Sequence, residues 1–189
     1  MTFALKDGSD AELAALTIAG RPGAFAAIMQ RHENRIYRIV RSNIGDADEA
    51  LDITQEVFVA AYLALSRYDP ARPLINWLVT IALNKCRDWS RRRALRRLLR
   101  FAFPIDDSVA AIADDSVRAD DALADRQNLA AVMRALPALP AQLKEPLILC
   151  TIDGLSQSEA GAVLGISEKA VETRIRRARL RLSEILNDA

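Results

Sequence analysis

Residues 154–179, GLSQSEAGAVLGISEKAVETRIRRAR, leave the chain little choice of local structure. Ser156 and Glu159 are spaced as a capping box, in which each residue satisfies a backbone amide of the other at a helix start. Gly165 supplies the backbone freedom for a sharp turn, and Ser167 is placed to cap a second helix. In that second helix Val171, Ile175, Ala178 and Leu182 fall on one stripe and must face a core. Lys169, Thr173 and Arg176 lie on the far side, flanked by Glu172 and Arg177. Two short helices joined by a glycine turn result, the second basic on its outer face.

Such an element admits two readings. It is either a plain amphipathic hairpin with solvated charges or a helix-turn-helix, whose second helix enters the major groove of DNA. Arginine reads guanine edges there, and glutamate accepts from cytosine.

The rest of the chain also reads as helix. Ala, Leu and Arg abound among the 189 residues, whereas aromatics are 5%. That composition favours helix over sheet. An initial helix over "DAELAALTIAG" ends near Gly20. A second carries Phe25, Ile28, Met29, Ile36, Ile39 and Val40 at helical spacing and stops at Gly45. A third places Leu51, Phe58, Tyr62 and Leu65 on one stripe, with Asp52, Gln55 and Glu56 on the opposite, wet face. "DPARP" forces a loop, and a fourth helix runs through "LINWLVTIALNKCRDWSRRR". Beyond "PALP", Pro140 suits the first turn of "AQLKEPLILCTI", while Pro146 either kinks that helix or is absorbed by it. The expected class is all-α, with a first helical domain over 10–93, a linker over 94–125 and a second domain over 126–186. Some local helix is expected in 94–100.

Charge is segregated although the net charge is only +1. Lys85, Arg87, Arg91, Arg92, Arg93, Arg96, Arg97 and Arg100 form one basic block, against Asp88 alone. Asp106, Asp107, Asp114, Asp115, Asp120, Asp121 and Asp125 follow, and Arg174 to Arg181 is basic again. Two basic faces suited to a polyanion are thus separated by an acidic spacer. Cys86 and Cys150 are far apart and give neither a disulfide framework nor a zinc spacing, so both are expected as buried small hydrophobes. His32 is expected as a surface or boundary histidine rather than a ligand. There is no phosphate-cradling glycine loop, nucleophile motif or His/Cys/Asp cluster, so neither an enzyme nor a cofactor or metal site is expected. No apolar run is long enough for a membrane span and the N-terminus lacks a signal-peptide pattern, so a cytoplasmic address is expected.

"DEALDITQEVFVAAY" at 48–62, continued by "SRYDPARPLINWLVTIALNKCRDWSRRR", resembles region 2 of sigma factors. Residues 136–182, "LPALPAQLKEPLILCTIDGLSQSEAGAVLGISEKAVETRIRRARLRL", resemble sigma region 4. The order and the absence of other regions resemble the extracytoplasmic-function (ECF, group IV) sigma factors of bacterial RNA polymerase. The resemblance implies a transcription initiation factor that directs core polymerase to a promoter, through its large-subunit clamp and flap. It implies that Asp52, Gln55 and Glu56 dock on the clamp, where an acidic and amide face suits a basic partner. It implies that the Tyr68–Asn76 loop takes a base flipped from the −10 element, with Tyr68 and Asn76 either holding the base or bracing the loop. Arg87, Arg91, Arg92 and Arg93 would contact the nearby backbone, giving salt-sensitive affinity. Lys169, Glu172, Thr173, Arg174, Arg176 and Arg177 match the face that meets the −35 element. Glu172 stands where many relatives carry Lys or Arg, so their −35 sequence does not transfer. Ala160-Gly161 replaces a bulkier pair, which is expected to loosen the packing of the two helices. An acidic linker threading the polymerase channel and an anti-sigma partner are also implied. A free-standing helix-turn-helix regulator is the other reading; that class commonly dimerises, and no dimer helix is evident.

Overall fold

The computed structural model describes residues 5–102 and 129–187. Among them there are helices and turns but no strand. Helix α1 (Asp10–Ile18) starts at a capping box of Ser9 and Glu12. Helix α2 (Ala24–Ile44) ends on Gly45, whose φ of 85° is the left-handed conformation glycine tolerates. Asp46 then caps α3 (Ala47–Ala64), accepting from the Glu49 amide at 3.1 Å. A 3-10 turn over Leu65–Arg67 and the proline loop lead into α4 (Leu74–Ala102).

Helices α2, α3 and α4 pack around Ile28, Ile36, Ile39, Val57, Phe58, Leu78 and Val79, each at most 2% exposed. Burying a side chain of that size contributes about 1.5–3 kcal/mol. The expected α3 stripe is half right. Phe58 and Leu65 are buried, but Leu51 and Tyr62 are exposed at 51% and 57%. Ala50, Ile53, Val57 and Ala61 carry the core face instead. His32, expected at the surface or its boundary, is at the buried edge of that range, and its Nε2 lies 2.9 Å from Asp10, which also accepts from Arg31. That cluster ties α1 to α2. The local helix expected over 94–100 is present as the end of α4, which continues through 102. The acidic run from Asp106 to Asp125 lies outside the described residues.

The second unit holds α5 (helical over 129–135), a 3-10 turn at Leu136–Ala138, α6 (Ala141–Thr151), α7 (Gln157–Leu164) and α8 (Glu168–Asn187). Pro140 caps α6 from one residue ahead of its first turn, and the helix runs on through the buried Pro146. Cys86 is buried as expected, whereas Cys150 is only half-buried.

The two units are not apart. Helix α6 and the Leu136–Ala138 turn pack on α2, and α7 packs on α4, so one apolar cluster spans both units. Pro137 sits so close to Gly45 that a Cβ there would meet its ring at 2.6 Å. Buried Lys144 donates to the Asn43 carbonyl at 2.8 Å and the Pro137 carbonyl at 3.2 Å.

Candidate nucleic-acid interface

Both expected caps of the 154–179 element are present. Ser156 and Glu159 satisfy each other's amides, and Ser167 accepts from the Ala170 amide at 3.2 Å. Gly165 closes α7 at φ 67°. Gly161 acts opposite to expectation. A Cβ there would approach the Ile166 carbonyl oxygen to 2.7 Å, and the Gly161 carbonyl accepts from the Ile166 amide at 3.0 Å. The missing side chain therefore lets the turn fold tightly back on α7; it does not loosen the pair.

On α8 the stripe Val171, Ile175, Ala178 and Leu182 is buried, which leaves the opposite face to solvent. Lys169, Glu172, Arg176 and Arg177 are exposed there. Thr173 is half-buried and its hydroxyl donates to the Lys169 carbonyl at 2.9 Å. Arg174 falls next to the buried stripe at 3.6 residues per turn, so it stands on a flank rather than with the other five. Exposed Arg179 stands on the other flank of the stripe, next to Glu172. Among the described residues, none of Lys169, Arg174, Arg176 and Arg177 is paired with a carboxylate.

The basic face of α4 is arranged differently. The Tyr68 hydroxyl donates to the Arg72 carbonyl at 2.6 Å, and its ring tilts against Trp77 at 5.6 Å, so Tyr68 braces its own loop. Asn76 is half-buried at the mouth of a concavity of about 730 Å³. Arg72, Trp77, Thr80 and Arg87 line one wall of it, and α7 residues Ala162 to Gly165 line the other. Arg87 donates to both oxygens of Glu145, through Nε at 2.7 Å and Nη2 at 2.5 Å. This hydrogen bonding raises the already high pKa of the guanidinium. Arg91 pairs with Asp88, and Arg93 lies over the Trp89 ring at 5.0 Å. Trp89 is buried and donates to Glu49 at 2.7 Å. Of the four expected arginines here, Arg92 is exposed with neither a carboxylate nor a ring beside it among the described residues. Arg97 and Arg134 join Arg93 around a cleft of about 540 Å³ that the sequence reading missed, because Arg134 reaches it from the second unit.

Asp52, Gln55 and Glu56 do come together. They line a concavity of about 520 Å³ with Val59, Leu63 and Lys85, and Lys85 bonds Glu56 at 2.9 Å. Beside it runs an apolar groove of about 860 Å³ between α2 and α3, holding Phe25, Met29, Leu51, Val59 and Tyr62. Val59 and Leu63, exposed at 60% and 77%, sit off the expected stripe, and that displacement was the available signal. Among the described residues there is no acidic or His/Cys cluster suited to a metal and no helix long and apolar enough to cross a membrane.

Residues 28–105 match sigma-70 region 2, and residues 129–182 match sigma-70 region 4. The chain is 39% identical over 183 residues to the RNA polymerase sigma factor CnrH of Cupriavidus metallidurans, covering 96% of each chain. It is 31% identical over 180 residues to the ECF RNA polymerase sigma factor SigM of Mycobacterium tuberculosis, across 94% of this chain and 85% of that one. The chain belongs to the ECF sigma factors. The fold of this sigma factor is similar to that of CnrH bound to the cytosolic domain of CnrY, with a TM-score of 0.67 over 96% of this chain and 99% of that one. The helix-turn-helix is therefore the region 4 part of a sigma factor rather than a separate regulator.

Proposed function

We propose that this sigma factor recruits core RNA polymerase to promoters bearing its own −35 and −10 elements and begins melting at −10. Region 2, ending with α4, and region 4, beginning near 126, are its working parts. The observation that carries this reading is one chain holding an α8 outer face with unpaired cations, an α4 face rich in arginine, and a separate acidic and apolar surface on α3. Lys169, Glu172, Thr173, Arg176 and Arg177 meet the −35 groove, and Arg174 contacts flanking phosphate. Asn76 with Trp77 faces the flipped −10 base, Tyr68 holds the loop, and Arg87, Arg91, Arg92 and Arg93 serve the neighbouring backbone. Asp52, Gln55 and Glu56 meet the polymerase clamp, with the apolar groove beside them. Binding energy drives the opening of DNA, and the protein performs no covalent chemistry. An anti-sigma protein is its inhibitor; CnrH, to which the chain is similar, is seen in complex with the cytosolic domain of another protein, CnrY.

Run-off transcription with purified core polymerase on fragmented genomic DNA tests the reading. Discrete new transcripts are expected, and they should vanish when Asp52, Gln55 and Glu56 are jointly changed to Ala. DNA binding without polymerase binding would return the chain to the regulator class.

A further inference from the structure

The basic outer face of α8 holds one carboxylate that the fold does not use. Glu172 is exposed, with Lys169 three residues before it and Arg176 four after, both exposed on the same side. Glutamate four residues ahead of a cation is the favourable order for an ion pair along a helix. That pair is not formed among the described residues, although the same helix does join Arg181 to Glu184 at 2.6 Å. Nor does Glu172 serve the helix start. Ser167 caps α8, and Glu168 is the acidic residue of its first turn, where the helix dipole favours negative charge. Glu172 lies beyond that turn and outside the buried stripe of Val171, Ile175, Ala178 and Leu182. Among the described residues, both of its carboxylate oxygens are left free to accept.

Against DNA such a group has a cost and one remedy. The duplex carries a phosphate charge about every 1.7 Å along its axis, and a bare carboxylate brought against it is repelled. Hydrogen-bond donors on base edges offset this, and the major groove offers two, the amino groups of cytosine and of adenine. Guanine and thymine present acceptors there, which repel a carboxylate. Adenine sets its N7 acceptor beside the amino group, whereas cytosine shows no acceptor in the major groove. Cytosine is therefore the base that a carboxylate selects. Glu172 is well placed, because the N-terminal residues of a recognition helix reach base edges, and it is the fifth residue of α8 counted from Glu168. We propose that Glu172 is the residue that sets base identity in the −35 contact: its carboxylate accepts from the amino group of a cytosine and disfavours other bases at that position. Lys169 and Arg176, on either side, keep the local face positive, so discrimination is gained without losing attraction to the backbone.

This rests on placing α8 in the −35 groove, and the test separates the two. The full chain is incubated with a duplex library randomised at its centre, and the bound DNA is sequenced over successive rounds. The parent should enrich a motif with a cytosine column, preferred roughly tenfold over the other bases. Glu172→Ala should flatten that column alone, while binding to mixed-sequence duplex tightens severalfold because a negative charge has been lost. Glu172→Gln should move the same column towards adenine, whose N6 and N7 match a carboxamide. Glu172 is exposed and both replacements favour helix, so the fold should be undisturbed, which circular dichroism checks. Tighter binding to every sequence with an unchanged motif would make Glu172 a solvated charge and overturn the proposal. If the free chain enriches no motif, the library is selected with the holoenzyme formed with core polymerase, and absence of a cytosine column there also overturns it. Polymerase-dependent transcripts from promoters indifferent to Glu172 would leave promoter recruitment standing and remove the base assignment. A cytosine column that depends on Glu172, without any such transcripts, would do the reverse.

Discussion

The two arginine-rich helices of this protein have similar sequences of charge but engage those charges differently. On α8, Lys169, Arg176 and Arg177 project into solvent, and none forms an ion pair among the described residues. On α4, Arg87 is held by Glu145, Arg91 by Asp88, and Arg93 by the face of Trp89. A run of arginines in a sequence therefore measures charge, not the charge offered to a ligand. The difference follows from position. Helix α8 is the last helix described and packs on α6 and α7 through one stripe, whereas α4 lies, with α2, at the seam where the second unit rests.

The largest expected effect comes from removing the same number of charges from each helix. Arg176→Ala with Arg177→Ala should weaken binding to mixed-sequence duplex at least tenfold and reduce the salt slope by about 2, one per lost phosphate contact. Arg91→Ala with Arg93→Ala should change both by much less in the free chain, since those charges are already engaged. Fluorescence anisotropy across a salt series gives both slopes. Equal slopes for the two variants would erase the contrast between the helices.

Next in size is a backbone effect confined to region 4. Gly161→Val places a side chain where 2.7 Å separates the Cβ position from the Ile166 oxygen. The turn must shift to admit it, at a cost of about 1–3 kcal/mol. Thermal unfolding should show that loss, and −35 duplex binding should fall with it. A variant as stable as the parent would mean that the turn is looser than its geometry.

Much of this was legible beforehand, for a physical reason. Caps, glycine turns and apolar stripes act over three or four residues, so Ser156, Gly165 and Val171 announce themselves locally. The seam does not. Glu145 meets an arginine 58 positions away, Asp153 one 118 away, and Lys144 a carbonyl 101 away, and nothing near them asks for those partners. Leu51 fails for the complementary reason: spacing names the face it shares with Phe58, but tertiary packing turns the core face towards Ala50, Ile53, Val57 and Ala61 and leaves Leu51 at its edge. His32 reads only as a surface or boundary residue, and its partner is invisible until α1 folds back and sets Asp10 against it. Gly161 was misjudged because helix propensity was weighed without the turn that packs on it.

The cysteines offer a smaller contrast between the regions. Burial pushes the Cys86 thiol up from 9.0 to about 12, whereas half-buried Cys150 is raised with no such extreme. The unfolded chain ionises Cys86 near its ordinary value and the folded chain does not. Its contribution to stability is therefore complete below about pH 9 and is lost as pH rises towards 12. Timed alkylation should modify Cys150 first, and Cys86 only at the rate at which region 2 opens. Equal rates would mean that the core around Cys86 is permeable to the reagent.

The smallest expected effects come from matched caps, one in each region. Ser9 with Glu12 and Ser156 with Glu159 form the same reciprocal hydrogen bonds, and in both pairs these bonds lower the glutamate pKa. Ser9→Ala and Ser156→Ala should each cost about 1 kcal/mol. Because the folded pKa lies below 4.5, the glutamate's share is present above that pH and fades as pH falls through the lowered value. The two caps should thus respond to acid alike, unless the packing of the two units couples them to different partners. Arg35 provides that difference: its charge also lowers the Glu159 pKa from across the seam. Titrating Glu12 and Glu159 by NMR in the parent and in Arg35→Gln should therefore move Glu159 upward and leave Glu12 where it was. Movement of neither would show that Arg35 is not near region 4 in solution.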